Sequence, residues 1–562
     1  MRAVVFVFLS AVWLCGATRL SATSAPDTPV TVRVATYNVE YGKSTTPEQV
    51  GEMFKPYKLD IIGFNEAPDG DWTARVGKVL EMPYSFVGKI SSAHHKDKYK
   101  TILSRTPLEG TEEYELSGRG WNPASAVRAT TKIANIPFAF YSLHISRSGA
   151  TDGHAYNLAT HVLSKEKNER VIVVGDFNNN MGDPAMNTIE AAGYRSTWTD
   201  LKIDVSKAFT YNAHNPAKNH GVIDHIFYTT SANATSTDGG IIELETPLSD
   251  HKPIWAQIMF PRTLEHPETS SVKVMSYNIY RGGTMRKQPL SQTVKVIHEA
   301  KADIVGVQEL RSPKGDHTKQ LAELLGWNYH VNKRWRCIVT RYEIVERLDD
   351  GVKVKLPSGQ EAYVFNLHLP SNPYQPYQLL SIRPKWHKHW DTPFIKTEAE
   401  AIDAAKQARG REVAELLRQI RTLPDKSAPV FVVGDFNEPS HLDWTEKAAN
   451  SGRHPIKVDF PTSREMANAG FADAWRTVYS DEMKKPGFTW TPIMEPDDPE
   501  THHDRIDFVY FRGDGVAVHD AKIIGESEEN ADIVVTPYPS DHRAVVATFT
   551  LPEPLDSENK ND

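Results

Sequence analysis

The chain has 562 residues and a formal net charge of −8, from 64 Lys and Arg against 72 Asp and Glu. A single compact domain seldom exceeds about 300 residues, so this length favours two domains. The acidic balance excludes a protein coated with Lys and Arg for tight non-specific binding of nucleic acid. It does not exclude a nuclease, because a local basic groove or bound metal ions can offset the overall charge.

Residues 1–25 have the pattern of a secretory signal peptide. Arg2 supplies a positive charge, an apolar uncharged run extends from Val4 to Leu14, and small residues follow, with candidate cleavage sites near Ala22 or Ala25. The apolar run is too short to span a bilayer comfortably, and no later stretch is apolar enough. We therefore expect a secreted or periplasmic protein, exported through this peptide and without a membrane span.

An internal repeat with a long period divides the rest of the chain. Seven short motifs occur twice in the same order, and they begin at Thr31 and Ser271, Asp60 and Asp303, Thr101 and Cys337, Tyr141 and Phe365, Val173 and Val432, Ile223 and Ile506, and Ser249 and Ser540. The repeat predicts a first domain at 30–260 and a second at 272–551. A short linker at 261–271 joins them, and a polar, disordered tail follows at 552–562.

Each copy interleaves strand-like and helix-like segments. The apolar runs Val171–Val174 and Val430–Val433 both stop at Gly-Asp-Phe-Asn, as a buried strand does when its end delivers polar side chains to a surface. Helical stretches lie between the strands, for example Thr397–Arg421, which is rich in Ala, Glu, Lys and Leu. The pattern predicts an α/β fold class, with function where strands end and loops begin.

Polar side chains at these strand ends suit a hard metal ion. The first copy offers Glu66, Asp250 and Asn38, together with Asp176 and Asn178, which flank one residue and so face the same side of an extended segment. Oxygen ligands of this kind favour Mg²⁺, Mn²⁺ or Ca²⁺. Zinc is disfavoured there, because the histidines are spread out and no cysteine cluster or His-Glu-x-x-His spacing is present.

The same residues supply the chemistry for breaking a phosphoester. A neutral His backed by an Asp can act as a general base, and His251 with Asp224 is the candidate pair, while His144 can hold a phosphate oxygen. The second copy offers the same set, Asn278, Glu309, His368, Asp435, Asn437, Asp507, Asp541 and His542. Each residue alone has a structural alternative, such as a solvated strand end, a turn or a helix cap. Their ordered occurrence in both copies favours function.

With these motifs the chain resembles the endonuclease/exonuclease/phosphatase superfamily, which has the deoxyribonuclease-I-like fold. The motifs are Tyr37-Asn38, Asn65-Glu66, Ser104-Arg105, His144, Gly175-Asp176-Phe177-Asn178, Asp224 and Ser249-Asp250-His251, and in the second copy Tyr277-Asn278, Gln308-Glu309, Thr340-Arg341, His368, Gly434-Asp435-Phe436-Asn437, Arg505-Ile506-Asp507 and Ser540-Asp541-His542. The resemblance implies two tandem four-layer α/β/β/α sandwich domains. Asn65 and Thr340 depart from the Gln and Ser that are usual in the family, and neither change removes a ligand.

The resemblance also implies roles for these residues. It implies Mg²⁺ or a similar ion held chiefly by Glu66 and Glu309, with Asn38, Asp250, Asn278 and Asp541 nearby. It implies that Asp176, Asn178, Asp435 and Asn437 position the nucleophile and the phosphate. It implies that His251–Asp224 and His542–Asp507 are the acid–base pairs, and we assign Arg105 and Arg341 to substrate binding.

The copies differ by an insertion after His368. The gap from His144 to Asp176 is 32 positions and the gap from His368 to Asp435 is 67, so the insertion has 35 positions. Its aromatic residues are interleaved with cations, which suits stacking on a base, a sugar or a choline-like head group, and we assign four of them to substrate binding: Tyr374, Tyr377, Trp386 and Trp390. The alternative, that these aromatics pack the insertion onto its own domain, stays open.

These observations predict an exported, divalent-metal-dependent phosphodiesterase or phosphatase. Its substrate is a phosphoester of a lipid head group, a sugar or a nucleotide. One alternative is an extracellular nuclease, which leaves nucleic acid open as a partner. Another is a binding module in which one or both copies have lost catalysis. The sequence does not fix the substrate or the oligomeric state.

Overall fold

The computed structural model describes residues 28–552 except 69, 150, 265–270, 285, 313–314, 333–335, 384–391, 496–497 and 500. The predicted signal peptide, part of the predicted linker, nearly all of the predicted tail, Trp386 and Trp390 lie outside the described residues. Within the described ranges, no helix combines the length and apolar character that a membrane span requires.

The first domain is built from two six-stranded sheets packed face to face. Its strands are Val30–Asn38 (β1), Ile61–Ala67 (β2), Tyr84–Val87 (β3), Tyr99–Ser104 (β4), Glu109–Leu116 (β5), Ala124–Ile133 (β6), Ile136–His144 (β7), Val171–Asp176 (β8), Tyr194–Ser196 (β9), Asp224–Thr229 (β10), Thr235–Ile241 (β11) and Ile254–Phe260 (β12). The sheet orders are β11-β12-β1-β2-β4-β3 and β5-β6-β7-β8-β10-β9. The helices are Pro47–Phe54 (α1), Trp72–Leu80 (α2), His154–Asn157 (α3), Pro184–Ala191 (α4) and Thr197–Asp200 (α5).

The second domain repeats this plan with a seven-stranded and a six-stranded sheet. Its strands are Ser271–Asn278 (β13), Ile304–Gln308 (β14), Arg311–Ser312 (β15), Gly315–Asp316 (β16), Asn328–Val331 (β17), Cys337–Thr340 (β18), Glu343–Arg347 (β19), Gly351–Lys355 (β20), Glu361–His368 (β21), Val430–Asp435 (β22), Ala472–Asp473 (β23), Asp507–Arg512 (β24), Ala517–Gly525 (β25), Ile533–Val534 (β26) and Ala544–Thr550 (β27). The sheet orders are β17-β18-β14-β13-β27-β25-β26 and β19-β20-β21-β22-β24-β23, and β15 and β16 form a separate ribbon.

The helices of the second domain include the long helix that the sequence predicts. They are Tyr280–Gly283 (α6), Leu290–Glu299 (α7), Thr318–Leu325 (α8), Gln375–Leu380 (α9), Glu398–Arg421 (α10), Glu446–Asn450 (α11), Pro461–Asn468 (α12) and Ala474–Val478 (α13). Thr397 caps α10, because its side chain accepts the Glu400 N–H while the Glu400 carboxylate accepts the Thr397 N–H.

Three apolar layers hold each domain together. In the first domain one cluster lies between the sheets and joins Val34 of β1 to Val174 of β8, and two further clusters lie between each sheet and its outer helices. The second domain has the same arrangement, with Val274 and Val433 between the sheets. The predicted four-layer α/β/β/α sandwich is confirmed in both copies.

One glycine in each copy lets the two sheets approach closely. A Cβ on Gly63 would lie 2.5 Å from Val174 Cγ2, and a Cβ on Gly306 would lie 2.2 Å from Val433 Cγ2. These separations are far shorter than a normal carbon–carbon contact, so a side chain at either position would push the sheets apart.

We predict that Gly306→Ala lowers the free energy of unfolding of the second domain by about 1–3 kcal/mol, the usual cost of overpacking a core. Denaturant unfolding measures the loss. The matched control is Gly410→Ala in α10, where the nearest atom to a new Cβ is Lys406 Cβ at 3.9 Å. That change should stabilise by roughly 0.5–1 kcal/mol through helix propensity. Equal unfolding midpoints for Gly306→Ala and the parent chain would contradict the close-approach argument.

Candidate active sites

Strand register brings the predicted site residues to one end of each sandwich. In the first domain, β1 runs parallel to β2 with Asn38 opposite Asn65, and the other sheet pairs His144 with Asp176 and Asp176 with Asp224. The second domain has the same pairs, which are Asn278 with Gln308, His368 with Asp435 and Asp435 with Asp507. Each copy therefore collects its polar residues where a strand of one sheet faces a strand of the other.

A serine ties the histidine segment to the first strand of each copy. Ser249 Oγ donates to the Asn38 carbonyl at 2.7 Å and accepts the His251 N–H at 3.2 Å. Ser540 Oγ makes the same bonds, to the Asn278 carbonyl at 2.6 Å and from the His542 N–H at 3.1 Å. These hydrogen bonds hold the histidine backbone next to the end of the first strand of its domain.

A buried His–Asp pair lies at the centre of each site. His251 Nδ1 is 2.8 Å from Asp224 Oδ2, and its Nε2 is 3.6 Å from Asp176 Oδ2. In the second domain His542 Nδ1 is 2.9 Å from Asp507 Oδ2, and its Nε2 is 3.7 Å from Asp435 Oδ2. Each ring therefore lies between two carboxylates, with one on each nitrogen.

The two carboxylates favour the charged form of the ring. Burial lowers the pKa of His251, but the charges of Asp224 and Asp176 outweigh it and raise the pKa to about 10. The same causes raise the pKa of His542 well above its ordinary value. A raised pKa favours the protonated ring, which donates a hydrogen bond, so the role of these rings as neutral general bases stays a prediction.

The carboxylate on the Nε2 side of each histidine ring accepts a hydrogen bond from an asparagine side chain. Asn38 Nδ2 donates to Asp176 Oδ2 at 3.0 Å, and Asn278 Nδ2 donates to Asp435 Oδ2 at 3.0 Å. Burial is the main cause that raises the pKa of Asp176. A buried carboxylate whose pKa is raised toward neutrality is a better proton acceptor than an ordinary Asp.

The backbone is strained at the same two positions in both copies. Glu66 and Glu309 have φ of 49° and 59°, and Asn178 and Asn437 have φ of 51° and 47°. A left-handed backbone is unfavourable for Glu and is kept where the surrounding structure requires it, typically at functional sites. Here it turns the Glu carboxylate and the Asn amide into the site.

The donor set fits a hard divalent cation. Glu66, Asp250 and Asn38 supply oxygen atoms in the first copy, and Glu309, Asp541 and Asn278 supply them in the second. Asp541 Oδ1 is buried and makes no hydrogen bond. Burial, opposed by His542 and assisted by Glu309, raises the pKa of Asp541 to about 6. An unpaired buried carboxylate oxygen beside a second carboxylate is what a cation would satisfy.

Comparison with known families agrees with this geometry. A sequence model of the Endonuclease/Exonuclease/phosphatase family matches residues 35–251 and 275–542. The chain belongs to this family. The resemblance predicted from the motifs is confirmed, and both matched stretches include the residues described above. Members of the family are hydrolases that act on phosphoester bonds.

Similar proteins include an uncharacterized protein of Caenorhabditis elegans, 26% identical over 306 residues, which is 50% of this chain and 92% of that protein. An endonuclease/exonuclease/phosphatase of Beutenbergia cavernae is 15% identical, with a TM-score of 0.36, over 44% of this chain and 75% of that chain. A mannosyl-6-phosphatase of Bacteroides thetaiotaomicron is 20% identical, with a TM-score of 0.33, over 41% of this chain and 100% of that chain.

The departure of Asn65 from the usual family residue is compensated in the structure. Asn65 Oδ1 accepts the Asp176 N–H at 3.0 Å, and its Nδ2 donates to the Leu143 carbonyl at 2.7 Å. In the second copy the longer Gln308 donates to Asn366 Oδ1 at 2.7 Å. Both side chains join the two sheets beneath the site, so the change preserves the position of Asp176.

The two family sites differ around the Glu carboxylate and the outer histidine. In the first copy Lys98 Nζ lies 2.7 Å from Glu66 Oε2. In the second copy Asn278 Nδ2 and the Arg281 N–H donate to Glu309, at 3.2 and 2.9 Å. The His144 side chain is 7% exposed and the His368 side chain 29%, so the first site is more closed there. Sequence reasoning did not select Lys98.

An eighth repeated motif, Phe-Thr followed by an aromatic residue, also contacts the site residues in each copy. Thr210 Oγ1 accepts the Asp224 N–H at 3.2 Å, and Thr489 Oγ1 accepts the Asp507 N–H at 3.1 Å. The Tyr211 ring packs on His251 with centroids 5.1 Å apart, and the Trp490 backbone bridges to His542. Comparing Phe209-Thr210-Tyr211 with Phe488-Thr489-Trp490 would have identified these residues from the sequence.

The assignment of Arg105 and Arg341 to substrate binding is wrong. Arg105 follows β4, which runs antiparallel to β2, the strand that carries Glu66. Arg341 follows β18, which runs antiparallel to β14, the strand that leads into Glu309. Each arginine therefore lies at the end of its sheet opposite to the glutamate. The Arg105 guanidinium donates to the carbonyls of Leu59 and Glu81. Arg341 pairs with Asp303 at 3.3 Å and lies over the Trp327 ring. Both arginines support the fold.

The described aromatics of the insertion pack it onto its own domain. Tyr374 is buried and donates to Asp504 Oδ2 at 2.7 Å, and Tyr377 is buried with its hydroxyl 3.2 Å from Thr501 Oγ1. Both rings contact Trp490. Their assignment to direct substrate binding is therefore wrong, and their effect on the site passes through Trp490.

We predict that the metal-free protein loses stability as the pH rises from about 6.5 toward 10. The folded state holds the pKa of His251 near 10, against 6.5 for an unperturbed His. A raised histidine pKa contributes stability that is complete below the unfolded pKa and is lost as pH approaches the folded one. Denaturant unfolding with a chelator at pH 6–10 measures the loss.

The variant Asp224→Asn combined with Asp507→Asn should flatten this pH dependence, because it removes the carboxylates that keep the rings protonated. His519→Ala removes an exposed ring and should keep the parent slope. A parent protein whose stability is constant from pH 6.5 to 10 would contradict the protonated-ring description.

Proposed function

We propose that the protein is an exported, Mg²⁺-dependent phosphoester hydrolase with a catalytic centre in each domain. The observation that supports this most is the repeated geometry, in which a His ring lies between two buried carboxylates in each copy. Buried charges of this kind cost stability unless they are paired or used, and two domains retain them at matching positions. The retained donors favour catalysis over a binding module.

In this proposal Asp176 and Asp435 accept the proton of the attacking water. Asp176 Oδ2 lies 3.6 Å from His251 Nε2, and Asp435 Oδ2 lies 3.7 Å from His542 Nε2. The imidazolium of His251 or His542 donates a hydrogen bond to a phosphoryl oxygen, where negative charge increases during attack. Asn178 holds the outer histidine, since its Nδ2 lies 3.3 Å from His144 Nε2.

The metal in this proposal is held by Glu66, Asp250 and Asn38 in the first copy and by Glu309, Asp541 and Asn278 in the second. When bound, a divalent cation of this type neutralises phosphate charge and stabilises the leaving oxygen. Carboxylate and amide oxygens prefer Mg²⁺, Mn²⁺ or Ca²⁺.

The substrate proposed for these sites carries a planar or ring-shaped group beside the phosphate. In the first copy half-buried Trp121 packs on His144 with centroids 4.8 Å apart, and half-buried Tyr211 packs on His251. Two partly exposed aromatic rings beside the site histidines suit a sugar or a base by stacking. In the second copy Trp490 takes the place of Tyr211.

Export is proposed from the sequence pattern of residues 1–25. Expression with the native N-terminus in a secreting host should yield a mature chain that begins near residue 23 or 26, by intact-mass measurement. A full-length chain retained in the cytosol would contradict export.

We predict that the purified protein, stripped with a chelator, hydrolyses no chromogenic phosphodiester or phosphomonoester, and that Mg²⁺ or Mn²⁺ alone restores turnover. The reason is that the phosphate charge has no cation to neutralise it in the stripped protein. A panel of lipid head-group esters, sugar phosphates, nucleotides and DNA then ranks the substrates. Turnover that survives the chelator would overturn the metal-dependent proposal, and DNA as the best substrate would replace it with a nuclease.

We predict that His251→Ala combined with His542→Ala lowers kcat by about 10²–10⁴-fold, the usual contribution of a positioned proton-transfer group. The control is His519→Ala, which removes an exposed ring near the start of β25. Unchanged kcat in the double variant would show that the site residues are misassigned.

A further inference from the structure

The second domain contains another cluster of metal-ligand side chains, outside its catalytic residues. It consists of His454, His502 and Asp504, whose ligand atoms all lie within 4.8 Å of one another. His454 Nδ1 is 3.1 Å from His502 Nε2, which is 3.9 Å from Asp504 Oδ1. His454 and Asp504 are buried, and His502 is partly exposed.

Neighbouring groups hold the ligand atoms toward one point. The Trp444 ring stacks on His454 with centroids 4.2 Å apart and an interplanar angle of 11°. The Trp444 indole donates to Asp504 Oδ1 at 2.8 Å, and Tyr374 donates to Asp504 Oδ2. The main chain of Asp443 also hydrogen-bonds to His454. Outer partners of this kind orient histidine and carboxylate ligands in metal sites.

We propose that His454, His502 and Asp504 form a binding site for Zn²⁺ or a similar transition-metal ion. Two nitrogen ligands of a tetrahedral zinc ion, each about 2.0–2.1 Å from the metal, lie about 3.3 Å apart, close to the 3.1 Å between His454 Nδ1 and His502 Nε2. Two imidazoles with one carboxylate favour zinc, whereas the oxygen-rich catalytic clusters favour magnesium. Three protein ligands leave one position for water on the partly exposed side.

The ion would stabilise the segments that carry Asp504 and Trp490 next to the second catalytic site. Asp504 lies three positions before Asp507 and exchanges main-chain hydrogen bonds with Trp490, which bridges to His542. Through Tyr374 the same carboxylate holds the insertion. Gly221, three positions before Asp224, takes the place of Asp504 in the first copy, so the first copy has no carboxylate at this position.

Equilibrium dialysis against Zn²⁺ with Mg²⁺ in large excess tests the proposal, with bound zinc counted by mass spectrometry. The excess Mg²⁺ competes with Zn²⁺ for the oxygen-rich clusters, and any zinc that still binds there is common to the parent and the variants. The parent chain should bind one zinc ion more than His502→Ala, a variant chosen because its ring is partly exposed and its loss disturbs packing least. His519→Ala should bind as much as the parent. Equal zinc content in His502→Ala and the parent would overturn the proposal.

Anomalous scattering at the zinc edge gives a second test, on crystals of the parent chain soaked with Zn²⁺ and Mg²⁺. A peak between His454 Nδ1 and His502 Nε2 supports the site even where a variant fails to fold. No peak there, or peaks only at the catalytic clusters, overturns it. Neither measurement depends on turnover, so the outcome is separate from that of the proposed hydrolase activity.

Discussion

The histidine ring held between two buried carboxylates is the feature around which each catalytic centre is arranged. Asp224 lies on Nδ1 of His251 and Asp176 on Nε2, and both carboxylates come from neighbouring antiparallel strands of one sheet. Removing charged groups from water is costly, so the ring must be placed accurately and its partners satisfied. Ser249 accepts the His251 N–H and Thr210 accepts the Asp224 N–H, so these hydrogen bonds help to place the ring and its partner. The second domain repeats both hydrogen bonds.

The copies are alike at the centre and different at the edge. The distances of the His–Asp pairs agree within 0.1 Å, and the strained Glu and Asn positions recur. Outside this centre, Lys98 pairs with Glu66 in the first copy, while in the second copy Tyr374 of the insertion packs on Trp490. Such a distribution suits two centres that run one reaction class on different substrates or at different rates.

The sequence predicted the centre because its residues follow recognisable strands. A buried apolar run that stops at Gly-Asp-Phe-Asn locates a strand end, and alternation puts Asp176 and Asn178 on one side. The sequence misplaced Arg105 and Arg341, because their motifs do not show that the preceding strands, β4 and β18, run antiparallel to their neighbours. An antiparallel strand carries its last residue to the end of the sheet away from the site. The raised pKa of His251 was also beyond reach, since it depends on two carboxylates 27 and 75 positions away in the chain. The same holds for His454 and His502, which are 48 positions apart.

Comparing turnover in Asp176→Asn, Asp435→Asn and the double variant tests the central claim most directly, namely that each domain carries a complete catalytic centre. Because each substitution removes the proton acceptor of one copy and leaves the other unchanged, each single variant should keep the turnover of the intact copy. The double variant should lose both. Complete loss in one single variant would show that the other copy does not turn over substrate, and full activity in the double variant would contradict the account of both sites.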